Sequence, residues 1–239
     1  MTEDTSAYWR KLLAVDAPAD PAAVKKYRSW QRIFRPIFYL LFGMISKMLF
    51  PVKVAGIENI PEPPYIISPN HQSFLDFPSV AQVMGKKGRD LCALSNKVYY
   101  DNPISRFFMF SAADIIRIDT EKDFFPALKA AASILKTGKP VVIFPEGTRS
   151  KDGDLLPFKV GVGTLAVEAN VPLLPVYIKG TYDIMPRGSL FPRRGSITVS
   201  FGKPVYPEKY IEMKKSMPAY DVYNRITEEL RNRVLSLSK

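Results

Sequence analysis

The sequence predicts an α/β fold: a mixed, mostly parallel central sheet flanked by helices, preceded by a pair of basic helices. Three observations carry this expectation. From about Val52 onward, short β-rich runs alternate with helical patterns. Several of those runs are continuously apolar rather than alternating, as in strands covered on both faces. Ahead of Val52 the composition changes, with a polar, acidic stretch over 1–20 and a basic, aromatic-rich one over 21–50.

Taken in order, residues 1–20 read as a loosely ordered leader, and the acidic start Met1-Thr2-Glu3-Asp4-Thr5 argues against a secretory signal peptide. Residues 21–50 read as two helices with Pro36 at or near their junction. The expected organisation is therefore 1–50 as leader and interfacial helices, and 51–239 as the α/β domain. Strands are expected at 52–57, 65–68, 91–95, 114–118, 140–144, 173–178 and 196–201. Helices are expected at 77–84, 104–111, 123–136, 159–169 and 221–237. The helix over 123–136 is the best defined. Asp123 suits its N-cap, Pro126 its first turn and Gly138 the position past its end, while Phe124, Leu128, Ala131 and Leu135 share one face.

The composition, 46% hydrophobic and 24% charged over 239 residues, is that of one folded domain. A single cysteine, Cys92, excludes an intramolecular disulfide and sits in an apolar run as a small hydrophobe. With one histidine, His71, and one cysteine, zinc sites and Cys–His nucleophilic pairs have almost no material, so no metal is expected. The formal net charge of +11 calls for an anionic partner. Its distribution selects among them. Residues 21–57 contain no Asp or Glu, and their basic residues bracket the uncharged run 36–46. That pattern fits an anionic membrane surface and not nucleic acid. The run is about half of the roughly 20 residues a bilayer crossing needs, so a helix lying in the interface is expected, with a buried core helix as the alternative.

Two segments carry chemistry. In Asn70-His71-Gln72-Ser73-Phe74-Leu75-Asp76, the only histidine follows the apolar run Tyr65-Ile66-Ile67, at a strand's C-terminal end where α/β sheets hold ligands. Five residues would place His and Asp apart on a regular helix, but a strand-to-helix turn lets Asp76 lean back onto the imidazole. Asp76 is equally suited to capping the following helix, and His71 to an ordinary loop. In Phe144-Pro145-Glu146-Gly147-Thr148-Arg149-Ser150, a buried strand ends in a turn. There Gly147 lets a ligand approach the backbone, and Arg149 offers a fork for phosphate or carboxylate. Read alone, this too is compatible with an ordinary turn.

Together the two segments resemble the NHxxxxD and FPEGTRS motifs of the glycerolipid acyltransferase family, which includes the 1-acylglycerol-3-phosphate acyltransferases. Ala113-Asp114-Ile115-Ile116-Arg117-Ile118-Asp119 resembles that family's middle block, without its usual glycine. Val171-Pro172-Leu173-Leu174-Pro175-Val176 resembles its fourth block, and Phe158-Lys159-Val160-Gly161 the FKxG that often follows FPEGTRS. The resemblance runs from about residue 52 to 201 and implies transfer of a fatty acyl chain onto a lipid hydroxyl. It gives His71 as general base and Asp76 as its orienting partner. Glu146, Gly147, Thr148 and Arg149, with Arg117, would hold the acceptor's phosphate, and Lys159 is a weaker candidate. Asn70 or backbone amides of the turn are candidates for the oxyanion, and Ser73 is not expected to be a nucleophile. The implied co-substrate is acyl-CoA or acyl carrier protein, the acceptor a lysophospholipid, and no cofactor is required. The implied location is the cytoplasmic face of the cell membrane, peripheral or monotopic. Glycerol-3-phosphate, another lysolipid, or a catalytically silent membrane-binding protein stay open as alternatives.

Overall fold

The computed structural model describes residues 2–20, 33–96, 103–118, 124–189 and 191–239. Among the described residues seven strands form one sheet in the order β1-β7-β6-β2-β5-β3-β4. They are β1 (Val52–Ala55), β2 (Ile66–Pro69), β3 (Cys92–Asn96), β4 (Asp114–Ile118), β5 (Val141–Val142), β6 (Leu173–Lys179) and β7 (Ile197–Phe201). All pairings are parallel except β6 with β7, so the expected mixed, mostly parallel sheet is present. The central strands β2 and β5 are buried along their whole length, which is why they read as unbroken apolar runs.

β1 ends before the expected residue 57 because Gly56 turns the chain at φ +68. A Cβ there would lie 2.1 Å from the Phe201 carbonyl oxygen, so only glycine fits. β5 is shorter than expected, although Ile143 still donates to Ile67 O at 2.9 Å before Pro145 bends the chain away.

Nine helices surround the sheet among the described residues: α1 (Thr2–Leu12), α2 (Arg35–Leu49), α3 (Asp76–Val83), α4 (Pro103–Ala112), α5 (Phe124–Leu135), α6 (Gly161–Ala169), the one-turn α7 (Thr181–Ile184), α8 (Glu208–Met213) and α9 (Ala219–Ser236). On α5, Leu128, Ala131 and Leu135 face the core as their spacing requires. Asp123 lies outside the described residues.

Residues 2–20 are not the loosely ordered leader expected from the polarity of 1–20. They begin with α1, whose Trp9 ring lies 5.4 Å from that of Phe125 and which is followed by fully buried Leu13. The reason is a buried carboxylate far away in sequence. Glu168 of α6 accepts hydrogen bonds from Ser6 Oγ at 3.2 Å, from Lys214 Nζ at 2.8 Å and from Tyr223 Oη, so polar residues of α1 have an interior partner.

Of the two basic helices expected over 21–50, the first lies outside the described residues. α2 covers the second, with Pro36 in its first turn. Arg35, counted among the basic flank, is instead buried. Its guanidinium pairs with Asp114 at 3.0 Å and donates to Ser111 O, anchoring α2 to the start of β4. Tyr39 adds a bond to Ala112 O at 2.9 Å. The opposite face of α2 is apolar yet exposed: Ile37, Leu40, Leu41, Met44, Ile45 and Met48, the last 79% accessible. At 15 residues α2 is too short to cross a bilayer, and among the described residues no helix is long and apolar enough to do so.

Candidate active site

β2 occupies the middle of the sheet, flanked by parallel β6 and β5, and its chain runs straight into the Asn70–Asp76 segment. Asn70 secures this exit. Its amide accepts from Ile178 N at 2.7 Å and donates to Ile178 O at 3.0 Å, tying the end of β2 to β6 where the strand ladder stops. The amide oxygen and one of its two N–H donors are thereby engaged. Fully buried, Asn70 is a backbone tie.

The turn that follows closes on Asp76. One carboxylate oxygen, Oδ2, accepts from His71 Nδ1 at 2.9 Å, from Gln72 N at 2.6 Å and from Ser73 N at 2.7 Å. Asp76 thus satisfies two backbone N–H groups that would otherwise be orphaned before α3, and it orients the imidazole with the same atom. Of the two readings weighed from sequence, the histidine partner is realised; Asp76 does not cap α3, whose N-cap position is Leu75 with no side-chain cap hydrogen bond. Because the carboxylate can only accept, Nδ1 donates this bond, and in a neutral imidazole the lone pair is then on Nε2. Among the described residues no hydrogen bond engages Nε2, and the His71 side chain keeps 23% of its surface accessible. Phe144 stacks on the ring with centroids 3.9 Å apart. Ser73 Oγ donates to Met185 O at 2.6 Å and accepts from Leu75 N.

The second motif is joined to the first by two bonds at one residue. His71 N donates to Glu146 Oε1 at 2.8 Å, and Ser150 N donates to His71 O at 2.8 Å. Glu146 also accepts from Leu156 N at 3.1 Å. It was expected to contact the acceptor, but both its oxygens are directed inward and it is buried, so it clamps the histidine's backbone to the 155–158 segment. Burial pushes its carboxyl up to about 7, against the two backbone donors and Arg231, with the nearby Asp76 charge adding to the rise.

Gly147 and Thr148 form the exposed tip of the turn, Gly147 at φ +72. A Cβ on Gly147 would come within 2.8 Å of Lys159 Cε and Nζ, so the Lys159 side chain lies against this tip. Arg149 is almost completely buried, with its guanidinium carbon 3.8 Å from the centroid of the half-exposed Phe74 ring. The structure therefore gathers His71, Asp76, Glu146, Gly147, Thr148, Arg149 and Lys159. Arg117 stands apart. Its backbone is on the edge strand β4, three strands from β2 and about 14 Å away across the sheet. Its side chain lies outside the described residues. Phe144 as a ring platform, Leu156 N and the Ser73–Met185 link were not foreseen, and only Phe144, adjoining the turn, left a sequence signal.

This geometry has counterparts. Residues 51–179 match the acyltransferase family profile. The chain belongs to the acyltransferase family. A chloroplastic 1-acyl-sn-glycerol-3-phosphate acyltransferase of Brassica napus is 33% identical over 186 residues, 75% of this chain and 53% of its own length. The 1-acyl-sn-glycerol-3-phosphate acyltransferase of Saccharomyces cerevisiae is 29% identical over 211 residues, 84% of this chain and 64% of its own. The chain spans about half the length of the chloroplastic relatives it matches. The crystal structure of the 1-acyl-sn-glycerophosphate acyltransferase from Thermotoga maritima superposes with a TM-score of 0.62 at 26% identity, covering 87% of this chain and 81% of that one. The matched region contains both motif turns and the strands that carry them.

Proposed function

We propose that the protein transfers a fatty acyl group from a thioester, acyl-CoA or acyl carrier protein, to the sn-2 hydroxyl of 1-acylglycerol-3-phosphate, giving phosphatidic acid. The observation that carries this reading is the His71 Nδ1–Asp76 Oδ2 bond of 2.9 Å, which supports Nε2 in the role of base. The names of the relatives support the choice of acceptor. Nε2 takes the proton from the acceptor hydroxyl as its oxygen attacks the thioester carbonyl, and Asp76 stabilises the imidazolium. The tetrahedral intermediate expels the thiolate, which recovers that proton and leaves as thiol. Transfer is direct, in keeping with a Ser73 hydroxyl engaged at Met185 O. Glu146 holds the His71 backbone in register, while Arg149, Lys159 and the Gly147–Thr148 tip bind the acceptor's phosphate. The exposed apolar face of α2 docks on an anionic membrane, where acceptor and product both partition.

The test supplies the purified protein with radiolabelled acyl-CoA and 1-acylglycerol-3-phosphate in anionic vesicles, beside His71→Ala. Phosphatidic acid formed by the wild type and not by the variant supports both reaction and base. Acylation of a different acceptor with the same His71 dependence would reassign the substrate. Failure with every acceptor and both donor types would overturn the enzymatic reading.

A further inference from the structure

The strand directions bring three features to one edge of the sheet. β2 and β6 run parallel and end there, with the His71 turn following β2. β7 is antiparallel to β6, so its first residues, Ile197 and Thr198, lie beside the end of β6. β1 is parallel to β7, with Val52 opposite Ile197, so α2 enters the sheet at this same edge. The loop joining α7 to β7 also arrives here. Gly195 N donates to Leu49 O, the last residue of α2, at 3.0 Å, and Arg193 N donates to Ile184 O at 2.8 Å. At the loop's other end Met185 O receives the Ser73 hydroxyl of the catalytic turn.

The loop's exposed side chains are unusual. Phe191 is 81% accessible, more than any other large hydrophobic side chain among the described residues. Arg187, Arg193 and Arg194, close to it in sequence, are exposed too, and residues 184–207 contain no Asp or Glu, the exposed Asp183 on α7 being the nearest in sequence. A water-exposed phenylalanine among arginines gains nothing within the fold. It suits an interface where the ring enters the acyl boundary and the guanidinium groups meet phosphate. Met48, one residue before the end of α2, is the most exposed part of that helix's apolar face and adjoins Leu49, whose carbonyl the loop's Gly195 holds.

We propose that the loop carrying Phe191, Arg187, Arg193 and Arg194 is a second anchor for an anionic lipid surface. It acts beside α2 and is bonded directly to the turn that carries His71. The proposal rests on the reading that the protein works at a membrane, and it adds a contact that helix α2 alone does not provide. With two adjacent anchors at the site's edge, the mouth of the site is held against the bilayer rather than tethered near it.

The test compares vesicle binding and acyl transfer from acyl-CoA for the wild type, Phe191→Ser, the triple variant Arg187→Gln/Arg193→Gln/Arg194→Gln, and Met44→Ser/Met48→Ser on α2. The vesicles are phosphatidylcholine with or without phosphatidylglycerol. Phe191→Ser is expected to weaken partition into both vesicle types by about tenfold, the effect of withdrawing one aromatic side chain from an apolar phase. The triple variant is expected to lose most of the preference for phosphatidylglycerol, each arginine contributing about fivefold. Because Cys92 is buried, a Phe191→Cys variant can be labelled selectively with an environment-sensitive fluorophore. Its emission should shift to the blue on adding anionic vesicles, a readout that does not depend on the loop variants folding identically. Unchanged binding and no shift, with binding lost in Met44→Ser/Met48→Ser, would overturn the second anchor and leave membrane docking by α2 standing. Unchanged binding in every variant would overturn both. Unchanged vesicle binding with a raised KM for an acyl carrier protein donor in the arginine variant would assign the loop to an acidic protein partner instead.

Discussion

Asp76→Asn separates the two tasks that one carboxylate oxygen performs. The amide oxygen can replace Oδ2 as acceptor for Gln72 N and Ser73 N, so the turn before α3 keeps its backbone bonds. What disappears is the negative charge facing His71. At 2.9 Å and an effective dielectric of about 20, an imidazolium–carboxylate pair attracts by about 6 kcal/mol. The retained hydrogen bond recovers part of this, leaving a barrier increase of about 3–5 kcal/mol, or a fall in kcat of about 10²- to 10⁴-fold. Asp76→Ala also orphans the two buried N–H groups and should cost about 2–6 kcal/mol in stability, whereas the Asn variant should lose about 1–2 kcal/mol. The assay is kcat and KM for phosphatidic acid formation, paired with urea unfolding of each variant. A folded Asp76→Asn enzyme with kcat within about threefold of wild type would refute the reasoning, because an effect that small leaves the charge no catalytic part.

Glu146→Gln should remove a pH dependence of stability. Burial raises the folded carboxyl from 4.5 to about 7, so the native state holds the proton more tightly than the unfolded chain. Its contribution is full below about pH 4.5 and is lost as pH rises to about 7, a span of about 3 kcal/mol that urea midpoints at pH 5 and 8 should reveal in the wild type only. Arg35→Leu should destabilise by about 3–5 kcal/mol by leaving Asp114 charged and buried, and Arg35→Leu/Asp114→Leu should recover part of the loss in thermal unfolding. Ser73→Ala should cost about 1 kcal/mol through the lost bond to Met185 and change kcat by less than about threefold. Abolished turnover in a folded Ser73→Ala protein would make Ser73 an acyl carrier and refute direct transfer.

Much of the fold and part of the site can be read directly from the chain. The seven strands are legible because a strand covered on both faces must be apolar along its length, as Tyr65-Ile66-Ile67 and Val141-Val142-Ile143 are. The His71–Asp76 pair is legible because a turn between strand and helix is short, so its partners are close in sequence. The same locality marks Gly147 and Arg149 beside the end of β5.

Only the tertiary structure could decide what depends on residues far apart. Glu146 reads as a ligand-binding residue until the fold sets its carboxylate against His71 N and Leu156 N, respectively 75 and 10 positions away. Asn70 reads as one candidate for the oxyanion, and only the fold shows that it ties the end of β2 to Ile178, 108 positions on. Arg35 reads as a membrane-facing charge until Asp114 draws it inside, and Ser6 reads as part of a loose leader until Glu168 gives α1 a place to pack. Hydrophobic periodicity records which face of an element is buried, and it is set residue by residue along the chain. A polar group's role depends on its partner, and packing alone brings the partner within reach.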